Sequence, residues 1–148
     1  MTAGSPASAA VLRANREPLA ARALETAIDR DPTIRERYDD ARLRKLLHDT
    51  GVLLDQVSTA VASSDPGVVA AWAEWLAPIF RRRAVPMDDL VQVAEGLRTA
   101  AAAVLPPGQE GVLHTAIDEA VRVFRWHRRL GGDARRRNRL LAAIYRGA

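Results

Sequence analysis

The chain has 148 residues, is 48% hydrophobic and 27% charged, and carries a formal charge of +4. That is the composition of one globular domain with enough apolar matter for its own core. The absence of cysteine excludes disulfides, thiol catalysis, cysteine-rich zinc sites and thioether attachment of a chromophore; no uncharged apolar run reaches the roughly eighteen residues of a membrane span.

Pro and Gly divide the chain into helices. Residues 1–7 are expected to be disordered, although Ser5-Pro6 is also a cap and first-turn pair for an Ala-rich helix to about Asp29. Asp31-Pro32 repeats the signal and starts a helical stretch to about Ser63, broken once near Tyr38 or Gly51. Its stripe is Leu43, Leu46, Leu47, Leu53, Leu54, Val57 and Val61. Ser64-Asp65-Pro66 opens a helix ending near Arg83, with Val68, Val69, Trp72, Trp75, Leu76, Ile79 and Phe80 as a wide buried stripe. Pro78 should kink or break it near Ala77. Pro86 opens the next helix, to about Leu105, and Pro106-Pro107-Gly108 separates it from a helix over roughly Gln109–Leu130. Gly131-Gly132 should stop that helix, leaving 133–148 as a short basic terminal helix capped by Asp133.

No segment alternates with period two, so no strand is expected. The fold class is all-α: five to seven helices in a single domain, packed either as a globin-like stack of crossed helices or as an antiparallel bundle. The opening residues lack a charged stretch followed by an apolar one, so the expected location is cytoplasmic.

Charge is uneven. Residues 121–148 hold nine arginines against one acid, Asp133. With Arg81-Arg82-Arg83 and Arg135-Arg136-Arg137, these side chains could hold phosphates, nucleic acid or the carboxylates of a ligand, or could form a solvated face. His127 continues the apolar face of Leu113, Ile117, Ala120 and Phe124. A neutral imidazole there could contact a ligand or an iron; it could equally be a helix-end histidine interacting with the dipole. His114 and His48 fall on polar faces. No His-x-x-x-His or Glu-x-x-His pair occurs, so no metal site is expected. Trp72 and Trp75 could wall a flat apolar pocket or fill the core. No nucleophile elbow or Gly-rich phosphate loop is present, and Asp39-Asp40 and Asp88-Asp89 stand at helix starts, where acids favour the dipole. Catalysis is not expected.

From His48 to Leu105 the order of features is distinctive. His48-Asp49 opens a Leu-rich helix, and Ser64-Asp65-Pro66 breaks it. Trp72-x-x-Trp75-Leu76 follows, then Arg82-x-x-Val85-Pro86, Asp88-Asp89-Leu90 and a Leu105-Pro106-Pro107 stop. This resembles the non-haem globin-like sensor family related to phycobiliproteins, which includes bilin-biosynthesis-associated globins and helical sensor domains of stress-signalling regulators. The resemblance spans residues 48–105 and rests most on Trp75-Leu76 and Val85-Pro86. It implies a globin fold, a homodimer, and a regulatory sensor or carrier role without catalysis. A tetrapyrrole (bilin, haem or cobalamin) would sit noncovalently in an interhelical cleft. Trp72, Trp75 and Phe124 would wall it, His127 would be the polar contact, and Arg82 and Arg125 would pair with carboxylates. Leu53 and Leu54 stand where relatives often carry a histidine. The competing expectation is a helical protein that binds an anionic partner or nucleic acid through its arginine-rich C-terminal segment, or a protein-docking module without a small ligand.

Overall fold

The computed structural model describes the backbone of residues 4–137 and the side chains of residues 4–130. Among them are seven helices and no strand: α1 (Pro6–Ala14), α2 (Arg16–Arg30), α3 (Ile34–Arg37), α4 (Asp40–Ser63), α5 (Gly67–Arg82), α6 (Met87–Val104) and α7 (Gly111–Arg137). All seven feed one continuous apolar core, so the fold is all-α and a single domain. No described helix is long and apolar enough to cross a membrane.

Local chemistry accounts for most boundaries. Ser5 Oγ accepts the Ser8 N–H and caps α1, with Pro6 in its first turn. Asp39 Oδ1 accepts the Arg42 N–H and caps α4. The expected first helix is instead two. Pro18 has no N–H and its ring would clash with the carbonyl four residues back, that of Ala14, where α1 ends. Asn15 adopts a non-helical ψ of 22° there, and its Nδ2 donates to Val11 O. The break between 31 and 63 falls at Tyr38, which is extended, and not at Gly51, which lies buried inside α4.

One proline and one glycine pair expected to interrupt helices do not. α5 continues through Pro78, and α7 runs as one helix through Gly131-Gly132. A glycine inside a helix costs about 1 kcal/mol but keeps its N–H, so it weakens a helix without ending it. Residues 138–148 of the expected terminal helix, and residues 1–3 of the expected disordered start, lie outside the described residues; Pro6 and Ala7 already belong to α1.

The C-terminus of α5 turns on an unusual residue. Ala84 has φ of 58°, the left-handed conformation that glycine normally supplies. Its N–H donates to Arg81 O and that of Val85 to Phe80 O, the paired bonds of a Schellman ending. Val85 and Phe80 are both buried and pack as the apolar partners of that motif.

α2 packs chiefly against α6, α6 against α7, α5 against α7, and α1 against α4. The α2–α6 crossing is set by Gly96. A Cβ built there would stand 2.4 Å from the backbone oxygen of Ala23. Backbone cannot swing aside as a side chain can. Gly96→Ala is therefore expected to destabilise the fold by about 1–3 kcal/mol, whereas Ala84→Gly should stabilise it by about 1 kcal/mol. Urea unfolding followed by circular dichroism checks both signs.

Candidate functional site

The outer face of α7 carries a row of exposed arginines around an exposed indole. Its inner face is Leu113, Ala116, Ile117, Ala120, Val121, Phe124 and His127, all buried. The opposite side then presents Arg122, Arg125, Trp126 and Arg129, all exposed. Trp126 is 47% exposed, and the Arg129 guanidinium lies over its ring at 5.7 Å. Arg122 pairs with Glu119 one turn back at 2.7 Å, which holds its pKa above the ordinary arginine value, chiefly through that hydrogen bond. Arg128, further round, meets Asp88 of α6 at 3.2 Å. Arg125 has no acidic partner among the described residues.

His127 lies where the periodicity places it, 8% exposed on the core face. Its Nε2 stands 2.8 Å from Glu74 Oε2 on α5. A carboxylate can only accept, so Nε2 is the donor. The His127 carbonyl accepts from Arg81 Nη1 at 3.3 Å. His127 thus ties α7 to α5 from both its side chain and its backbone.

The six expected ligand contacts do not share one cleft. Trp72 is half-buried and Phe124 buried; together with Phe80, Leu90 and Val93 they line a cavity of about 10 Å³, room for one water at most. His127 lies outside that lining. Trp75, expected in the buried stripe, is 68% exposed. The inward residues of α5 are Val69, Ala73, Ala77 and Phe80, and Trp75 is about 200° round the helix from both Ala73 and Ala77. Arg82 and Arg125 are exposed, on different helices.

The arginine triplet 81–83 is divided among three surroundings. Arg81 reaches α7, Arg82 faces solvent, and Arg83 Nη2 meets Asp49 Oδ2 of α4 at 2.9 Å. His48 is exposed, as its face implies. His114 is half-buried, because Arg98 reaches across from α6 to its carbonyl at 3.2 Å while also pairing with Glu95 and Asp118. No group of three metal-ligating side chains occurs among the described residues.

One buried group escaped the sequence. Asp89, in the first turn of α6, is 2% exposed. Arg37 grips it with two bonds, Nη2–Oδ1 at 2.6 Å and Nε–Oδ2 at 3.2 Å, and Tyr38 Oη donates to Oδ2 at 2.8 Å. Arg37 also bonds Asp31 Oδ2 and Thr33 Oγ1. Asp89 was legible as a helix-start acid, but its partners are more than fifty positions away and no local pattern announces them.

No family model, curated protein or solved structure matches this chain.

Burial and the Asp89 carboxylate push the Tyr38 phenol well above its ordinary value of 10.0. A group whose folded pKa is raised contributes stability that is complete below pH 10 and is lost as pH rises further, because the unfolded chain ionises first. Absorbance titration at 295 nm should show a phenol that resists ionisation until unfolding, absent in Tyr38→Phe, and the melting temperature of the parent chain should fall above pH 10.

Proposed function

We propose that this protein is a non-catalytic helical module that docks a polyanion, single-stranded nucleic acid foremost, on the outer face of α7. The observation that carries the proposal is Trp126. A large aromatic ring stands 47% exposed, with the Arg129 guanidinium against it and Arg122 and Arg125 beside it. A base stacks on such a ring while phosphates meet the neighbouring cations, which needs no sequence recognition. The chain continues the charge beyond this face with Arg135, Arg136, Arg137 and Arg139.

Affinity for a fluorescent single-stranded oligonucleotide should fall steeply with salt as counterions are re-bound. Trp126→Ala should weaken binding roughly 5- to 100-fold, the worth of one stacked base. Arg125→Gln should weaken every sequence alike and reduce the salt slope by about 0.7. Both positions are exposed, so circular dichroism should be unchanged. Micromolar binding that ignores salt, or survives Trp126→Ala at full strength, would remove the proposal.

A second reading keeps the globin-like sensor or carrier. It draws on Trp72, Phe80 and Phe124 lining one cavity, which would have to open well beyond its present volume to admit a tetrapyrrole. Titration with haemin, biliverdin and cobalamin tests it: a stoichiometric shift of the ligand's absorption band that Phe124→Ala alters is its expected result, and unchanged spectra with all three refute it.

A further inference from the structure

A cleft of about 240 Å³ opens where the start of α4 faces the turn between α5 and α6. It is separate from the outer face of α7. Three cations line it, Arg42, Lys45 and Arg83, against one carboxylate, Asp49. The apolar part of the lining is the Tyr38 ring with Leu46 and Val85.

Both guanidiniums are held in place by the fold. Arg42 lies 4.8 Å from the Tyr38 ring centre, and donates to Arg37 O through Nη1 and to Arg83 O and Ala84 O through Nη2. A guanidinium has five N–H donors, so at least two of Arg42 remain. Arg83 lies 5.3 Å from the Phe80 ring centre while it holds Asp49. Tyr38 Oη is committed to Asp89, which leaves its ring as a wall. Lys45 is exposed and has no hydrogen bond or ion pair among the described residues.

After Asp49 is neutralised by Arg83, the lining keeps two positive charges. That balance suits a dianion better than a monoanion, and fixed guanidiniums suit phosphate oxygens. We infer that this cleft binds a phosphate monoester with a small apolar body. Its head meets Lys45 and the guanidinium of Arg42, and its body lies on Leu46 and Val85. Binding costs little ordering of these two side chains, because the fold already holds both arginines.

Lys45 is the single lysine of the chain, so reductive methylation with ¹³C-formaldehyde places one side-chain reporter in the cleft and retains its charge. Phenyl phosphate, added to the full chain at pH 7.5, should move that signal saturably. Inorganic phosphate and benzoate should bind at least about fivefold more weakly, since one lacks the apolar body and the other the second charge. In ¹⁵N amide spectra Lys45→Gln should weaken phenyl phosphate about tenfold, the loss of one charged hydrogen bond, while Arg125→Gln leaves it unchanged. A shift that grows linearly with every anion, equal affinity for benzoate, or phenyl phosphate binding indifferent to Lys45→Gln would each overturn the inference.

Discussion

The carboxylate of Asp89 is the group around which one end of this molecule is organised. A charge that deep is tolerable only when its partners are close and well aligned. Arg37 and Tyr38 meet that demand from a point 52 and 51 positions earlier in the chain. To reach it, the chain must turn at Asp31, form the single turn of α3, and become extended at Tyr38. Asp39 is then free to cap α4. The position of one buried acid thus bears on where the long helix α4 begins and which way it points. The location of Asp89 in the first turn of α6 also sets a negative charge against the positive end of that helix.

Elsewhere the packing depends on small residues. Gly96 lets α6 approach the backbone of α2 at Ala23. Gly51 serves differently. A Cβ there would press on the Arg16 guanidinium at 2.8 Å, and the space it leaves lets Arg16 grip Asp55 with two bonds at 2.8 and 3.0 Å. In the first case glycine admits a backbone, and in the second it admits a cation. α4 runs unbroken through Gly51, whose missing Cβ leaves room for that ion pair.

The many arginines follow a common logic. Three donate to backbone carbonyls of other elements: Arg81 to that of His127, Arg98 to that of His114, and Arg42 of α4 to those of Arg37, Arg83 and Ala84, at the end of α3 and just beyond α5. Such arginines are structural ties. What distinguishes the α7 face is that Arg125 and Arg129 make no such tie to a carbonyl or acid among the described residues, and that an exposed indole lies between them. What distinguishes the cleft at Lys45 is that its arginines are tied and still keep donors. The same residue type therefore supplies rigid positive surface in one place and extended positive surface in the other.

The amino-acid sequence by itself determined the helical class, the starts of α5 and α6, the acids Asp39-Asp40 at a helix start and the inward position of His127. Each follows from local signals, a proline, a capping side chain or a period of 3.6 residues, that act within one or two turns. It also located the basic end of the chain, since charge needs no fold to be counted. Tertiary structure alone decided that Asp89 is buried, that Trp75 faces outward, that the arginine triplet is shared among three surroundings, and that Trp72 and Phe124 enclose almost no space. These depend on which helix lies against which, and a side chain's partner across fifty residues leaves no trace in its neighbours. Pro78 and Gly131-Gly132 belong to the same group: a local penalty, about 3 kcal/mol or more for the proline and about 1 kcal/mol for each glycine, did not end the helices that contain them.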